Sequence, residues 1–405
     1  MDWFQFPKPQ IFNTVFFFPS TPYEWEMKSL STPNSPTPQN QNQNPEKYIH
    51  KLQENETTPR RCEWDFTLAA VVSSSAIGAA SDTLGVVEFD PSDSLIATAG
   101  IARKIRGYRL HNLLPENIHN GSVTQLDHTR ASEFCICTPA KLSSLRWKPG
   151  VNGRILGSGD YDGVVMEYDL EMKVPIFERD EHGGRRVWSV DYSTVEPVVG
   201  ASGSDDGTVQ VWDTRCDGGD CVAVVQPSVV RSPVCCVEFN PYGSALVAVG
   251  CADRKAYGYD RRKMREPVVV FEGHAKTVTY VKFMDGGTVV SASTDGSLKM
   301  WRTEEGGGTR VARTYAGHVN GRSFVGLSVW RNGGLIGCGS EDKRVFVYDK
   351  RWGEPIWVKE FDGVGSGYGL VSSVCWRQAG EDECTLVAGG SDGVLQVFVG
   401  EKRSF

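Results

Sequence analysis

Residues 202–215 read SGSDDGTVQVWDTR. The phrase opens on small residues that suit a tightly buried strand, turns at Asp206-Gly207, and resumes as an alternating strand ending on Trp212-Asp213. Asp-Gly supplies the positive φ that a two-residue hairpin demands. Six other stretches repeat the phrase with small changes, and the aromatics that end them are Tyr108, Tyr168, Tyr259, Trp301, Tyr348 and Phe398. With Trp212 in its place, successive intervals are 60, 44, 47, 42, 47 and 50 residues.

The seven units occupy 85–110, 142–169, 187–213, 234–260, 278–301, 324–349 and 371–399. Apolar and polar residues alternate with period two inside each, as half-buried strands require. Asp-Gly recurs at 162–163, 295–296 and 392–393. Units near 45 residues repeated in this way predict an all-β fold, a seven-bladed β-propeller closed on itself so that only short edges remain. The long first interval predicts an insertion over about 113–140. Closing the ring requires a strand from one terminus to complete the last blade, and Cys62–Leu68 (CEWDFTL) is the candidate.

The propeller is expected over 61–400, after a different kind of segment. Residues 1–60 carry nine of the twenty prolines and the tract Gln39 to Asn44. Such a composition buries too little apolar surface to offset its ordering entropy, which predicts a disordered tail. Two aromatic islands within it, Trp3–Phe6 and Phe16–Trp25, are candidate partner motifs. Residues 71–81 read as a small-residue connector.

A formal charge of −7 and a pI near 5.6 argue against nucleic acid held through phosphate contacts. Eleven cysteines contain no CxxC pair and seven histidines no zinc spacing, so neither metal nor cofactor is expected, and the thiols read as free. The apolar run Val15–Phe18 is too short to span a membrane, and no signal peptide is visible. A soluble protein of nucleus and cytoplasm is expected.

His182, Ser202, Asp206 and Trp212 invite a hydrolase reading, but His274, Ser291, Asp295 and Trp301 repeat the set two units later, in blade five. An active site would occur once; a network that recurs with the blades is a latch, tolerated in a core because its members satisfy one another. Blade six keeps His318 and Asp342 but carries Cys338 and Tyr348, and blades one, two and seven lack the His, which predicts looser latching there. No Walker-type loop, HExxH or GxSxG appears, so no enzyme is expected.

The two tetrads resemble those of WD-repeat proteins. Five further phrases, VWSVDYS (187–193), VTYVKF (278–283), SFVGLSV (323–329), SASTDGSLKMW (291–301) and VCW (374–376), resemble the propeller of the plant constitutive-photomorphogenic ubiquitin ligase and its SPA relatives. The resemblance runs in order over about 62–400, without the RING finger, coiled coil or kinase-like region of those larger proteins. Residues 85–110 are similar to the bare-propeller members, the RUP repressors of UV-B photomorphogenesis. The resemblance implies a groove for Val-Pro peptides with charged flanks, carried over onto Lys141, Tyr161, Arg186, Trp188, Lys276 and Phe324. It further implies a negative regulator of UV-B signalling that binds the UV-B photoreceptor by its Val-Pro tail and promotes return to the inactive homodimer. The same resemblance implies the photomorphogenic ubiquitin ligase as a further partner. Trp212, Asp213 and Arg215 resemble the WDxR box that docks propellers onto a cullin-ligase adaptor, which gives the alternative of a substrate receptor.

Overall fold

The computed structural model describes residues 63–74, 82–114, 123–216, 221–304, 308–361, 369–381 and 383–403. The predicted tail, Cys62 and most of the 71–81 connector lie outside the described residues.

The described chain begins with β1 (Trp64–Ser73) and enters blade one through β2 (Leu84–Phe89), β3 (Leu95–Gly100) and β4 (Lys104–Arg109). Two single-turn helices, α1 (Leu110–Leu113) and α2 (His128–Ala131), flank β5 (Thr124–Asp127), and β6 (Phe134–Cys137) completes the blade as its outermost strand. Five four-stranded antiparallel blades follow, each running in chain order from its inner to its outer strand. Blade two is β7 (Leu142–Trp147) to β10 (Val174–Arg179), with β8 (Ile155–Asp160) and β9 (Val165–Asp169) between. Blade three holds β11 (Val187–Tyr192), β12 (Val199–Ser204), β13 (Val209–Asp213) and β14 (Cys221–Val225). Blade four holds β15 (Val234–Phe239), β16 (Leu246–Cys251), β17 (Lys255–Asp260) and β18 (Val269–Glu272). Blade five comprises β19 (Val278–Phe283), β20 (Thr288–Ser293), β21 (Ser297–Thr303) and β22 (Thr309–Tyr315). Blade six comprises β23 (Leu327–Trp330), β24 (Leu335–Cys338), β25 (Arg344–Asp349) and β26 (Pro355–Glu360). Blade seven takes β27 (Val371–Trp376), β28 (Glu383–Gly390) and β29 (Leu395–Lys402) from the C-terminal side and β1 from the N-terminal side.

The closing strand is longer than the sequence suggests and starts two residues later. It pairs antiparallel with β29 from Trp64↔Lys402 to Val72↔Leu395, through a bulge near Ala69. Its alternate faces serve different cores. Trp64, Phe66 and Val71 join the core of blades six and seven, with the Trp64 ring edge-on to Trp330 at 5.1 Å. Ala70 and Val72 join Leu84, Val87 and Tyr108 of blade one. One strand therefore seals both sides of the seam.

The insertion expected over 113–140 needs correction. Its end, β6, is blade one's own outer strand, and β5 pairs in parallel with β1, making blade seven five-stranded. β5 and β6 hold four residues each, too short for period-two alternation to mark them as strands in the sequence. The segment also carries a buried histidine that the repeat alignment misses: Tyr108 Oη bonds His128 Nδ1 at 2.8 Å, and His128 Nε2 meets the Gly393 carbonyl at 2.7 Å. Blade one is thereby latched across the seam to blade seven.

The strand-ending aromatics Tyr108, Tyr168, Trp212, Tyr259, Trp301, Tyr348 and Phe398 all lie buried between blades. At the hairpins that lead into these strands the Asp-Gly steps behave as their chemistry dictates, with Gly163, Gly207, Gly296 and Gly393 at φ of 79–96°. The other three hairpins place Arg103, Arg254 and Lys343 in the same left-handed region.

Candidate functional site

Topology decides which residues share a face. Inner strands start, and second strands end, at the same end of the blade, so the loops entering the inner strands and the hairpins after the second strands crowd one mouth of the ring. Lys141 and Arg186 immediately precede β7 and β11; Lys276 and Phe324 lie in the loops before β19 and β23; Tyr161 follows β8. All six candidates for the groove fall on this mouth.

Four of them touch in sequence around it. The Arg186 guanidinium lies over the Tyr161 ring at 4.0 Å and over the Trp188 ring at 4.5 Å. Trp188 stacks on Phe324 with centroids 4.3 Å apart and planes 12° from parallel. Tyr280, absent from the sequence-based candidates, stands edge-on to Phe324 at 5.6 Å. Cation–π contacts are worth about 0.5–2 kcal/mol and aromatic pairs about 0.5–1.5 kcal/mol beyond burial, so this cluster holds its own shape. Burial pushes the Tyr161 phenol up to about 12, against the pull of Arg186. Lys141 meets the cluster through its backbone, its carbonyl accepting the Tyr161 N–H at 3.0 Å, whereas Lys276 sits exposed in the loop before β19.

The reach of Trp188 has a local cause. Six inner strands carry a bulge one residue from their start, and the bulged residues are Gly85, Ser143, Trp188, Cys235, Thr279 and Ser372. Five are small, and Ser143, Thr279 and Ser372 bond back to backbone carbonyls. Only Trp188 extends from the bulge, tethered by its Nε1–H to Asp205 Oδ1 at 2.5 Å. The glycines of the entering loop, Gly183 at φ 58° and Gly184 at φ 72°, reverse the chain so that the Arg186 carbonyl accepts from the Asp205 amide at 2.9 Å. That fixes Arg186 beside Trp188.

Three residues further along the inner strands lies a belt of charge. Arg146 Nε donates to Asp191 at 2.6 Å and its other nitrogens approach Glu88 and Glu238; Lys282 and Arg331 also approach Glu238, at 3.4 and 3.5 Å. The acids are tied to the next blade as well, Asp191 accepting from Phe239 N–H and Glu238 from Phe283 N–H, both at 2.7 Å. Burial raises the Asp191 carboxyl, with Arg146 opposing. The belt was legible: EF, RW, DY, EF and KF close five inner strands, a charged residue recurring in register inside buried sequence.

The two predicted tetrads differ in completeness. In blade five His274 Nδ1 bonds Asp295 at 2.9 Å, His274 Nε2 bonds Ser291 Oγ at 2.7 Å, and Trp301 Nε1 donates to the same hydroxyl at 2.8 Å. Blade three repeats the first two bonds, His182 to Asp206 at 2.8 Å and to Ser202 at 2.7 Å, but the buried Trp212 Nε1 finds no acceptor. Trp212 lies opposite Gly200, where a Cβ would sit 2.4 Å from its ring; Trp301 lies opposite Val289. Without a Cβ beneath it the indole settles against the strand and its N–H misses Ser202. In blade six His318 turns to Tyr348 Oη (3.0 Å) and Asp342 pairs with Arg344.

Arg215 is exposed on the opposite mouth, its guanidinium held in a fork by Asp213. Arg262 with Asp260 and Arg351 with Asp349 form the same fork. The D-x-R geometry is thus a turn clamp common to three blades. Among the described residues no group of His, Cys, Asp and Glu gathers as a metal site, and no helix is long and apolar enough to cross a membrane.

Seven blades, recurrent histidine latches and a seam closed by the N-terminal strand define the class: a WD-repeat β-propeller. Comparison with known proteins agrees. Residues 189–349 match the family model of the nucleolar protein 10-like N-terminal domain, itself a propeller. WD repeat-containing protein RUP2 of Arabidopsis thaliana is 64% identical over 80% of this chain and 89% of its own length, and RUP1 of the same plant 58% identical over 84% and 86%. The E3 ubiquitin-protein ligase COP1 of Arabidopsis thaliana is 35% identical over 77% of this chain, which spans 44% of that protein. The chain belongs to the RUP family of WD repeat-containing proteins.

Proposed function

We propose that this protein is a non-enzymatic negative regulator of UV-B light signalling, acting in nucleus and cytoplasm, that grips an extended Val-Pro-bearing tail of the UV-B photoreceptor and promotes the receptor's return to its inactive homodimer. The observation that carries the reading is the continuous Tyr161–Arg186–Trp188–Phe324 cluster. Flat rings suit a Val-Pro step, whose fixed φ loses little entropy on binding. Lys141, Arg186 and the exposed Lys276 ring the cluster with positive charge for acidic flanks. Family membership alongside RUP1 and RUP2, and likeness to COP1, support the signalling context, and the ubiquitin ligase is proposed as a further partner.

The test is calorimetric titration of an acidic-flanked Val-Pro peptide into the full chain. Trp188→Ala is expected to weaken binding by at least tenfold, since buried aromatic anchors dominate such interfaces. Unchanged affinity refutes the assignment. Faster recovery of receptor dimers after UV-B when the protein is present is the companion measurement.

The exposure of Arg215 favours a second reading, docking onto a cullin-ligase adaptor from the opposite mouth. It expects Arg215→Ala to abolish adaptor capture while leaving peptide affinity intact. Capture that survives Arg215→Ala removes it, leaving the fork as a turn clamp alone.

A further inference from the structure

Blade six enters the ring differently from its neighbours. In blades two, three, four, five and seven the amide after the second strand donates to the carbonyl just before the inner strand: Tyr161 to Lys141, Asp205 to Arg186, Ala252 to Pro233, Thr294 to Thr277 and Ser391 to Leu370. In blade six the corresponding amide, Glu341, donates instead to Val319 at 2.9 Å, while Gly339 takes Val325 at 3.0 Å. The chain between, 319–324, is thrown out as an additional loop, and Phe324 is its last residue.

Val319, Gly321 and Arg322 of that loop are exposed, and an acid holds its backbone. Glu341 Oε1 accepts the backbone N–H groups of Arg322 at 2.8 Å and Ser323 at 2.7 Å. The Ser340 hydroxyl accepts the Val319 N–H at 2.9 Å and donates to the Val319 carbonyl at 3.2 Å. Burial opposes the Glu341 charge, yet the N–H donors outweigh it and hold the carboxyl below its ordinary value. Asp205 occupies the same position in its hairpin in blade three, where it receives the Trp188 indole N–H. Two acids at equivalent hairpin positions thus fix the two rings that stack at 4.3 Å across the mouth.

We propose that Glu341 and Asp205 are positioning residues of this face: Glu341 sets the 319–324 loop so that Phe324 meets Trp188, and Asp205 sets the Trp188 indole, without either acid touching the ligand. The proposal rests on the reading of this face as the ligand-binding one. It departs from the usual expectation that acidic side chains near a groove contact basic ligand groups.

The experiment uses the full chain as wild type, Glu341→Ala, Phe324→Ala and the double variant, with hydrogen exchange of the 319–324 amides and titration of the acidic-flanked Val-Pro peptide. Glu341→Ala is expected to speed exchange of the Arg322 and Ser323 amides at an unchanged unfolding midpoint and to weaken the peptide about tenfold, while the double variant binds no worse than Phe324→Ala alone. Asp205→Asn, which keeps a carbonyl acceptor for the indole, is expected to retain affinity that Asp205→Ala loses. Unaltered loop exchange in Glu341→Ala overturns the proposal, and so do losses that add in the double variant. If wild type binds no peptide, the reading of the face falls, and the exchange result still decides what Glu341 does.

Discussion

Replacing one serine in each of the two tetrads by alanine separates them. The Asp295 carboxylate accepts from His274 Nδ1, which places the imidazole proton there; His274 Nε2 then accepts the Ser291 hydroxyl proton, and the Ser291 oxygen accepts Trp301 Nε1–H. Ser291→Ala orphans two buried groups, the Trp301 N–H and His274 Nε2. Each unsatisfied buried group costs about 1–3 kcal/mol, so the variant is expected to lose about 2–6 kcal/mol. Ser202→Ala orphans only His182 Nε2, because Trp212 Nε1 is unpaired already, and is expected to lose about 1–3 kcal/mol. Urea unfolding followed by tryptophan fluorescence reads the difference as a shift in midpoint at constant slope. Equal losses, or a larger loss from Ser202→Ala, refute the claim that the blade-three latch is incomplete. Neither substitution should alter peptide affinity beyond what the lost stability explains.

Acid should unlatch blade six. Burial holds the His318 imidazole down to about 4 from an ordinary 6.5, so the unfolded chain binds its proton first and stability falls as pH drops from 6.5 to 4, by an amount on the order of 3 kcal/mol. His318→Gln is expected to flatten that slope in unfolding free energy against pH, and a wild-type slope persisting in the variant counts against it; burial also lowers His128, which leaves a residual slope. Arg146→Met is expected to cost about 3–5 kcal/mol by leaving Asp191 and Glu238 short of a buried partner, and adding Asp191→Leu should recover part of that loss. Deleting residues 1–73 removes β1, bares the β29 edge and strips Trp64, Phe66 and Val72 from two cores; the product is expected to aggregate, and a monomeric, cooperatively unfolding product by size exclusion and calorimetry would contradict the closure role.

Sequence alone determined what repeats: strand periodicity, Asp-Gly turns and a buried aromatic per unit are local chemistry, so seven blades and both tetrads could be read before any coordinates. It also placed Tyr161, Arg186, Trp188 and Phe324 at one mouth of the ring, because propeller topology turns sequence position into a face. Tertiary structure decided whatever depends on partners far apart in the chain. The fate of 113–140 was one such case, since β5 pairs with β1 and His128 with a hairpin of blade seven more than 260 residues away. Whether Trp212 reaches Ser202 depended on the missing Cβ of Gly200 across the ladder. The duties of Asp205 and Glu341 were likewise invisible: each is one acid among many in sequence, and only the closed ring brings the rings they orient within 4.3 Å of each other. Local signals repeat, and so they are legible; long-range contacts occur once, and the folded chain alone records them.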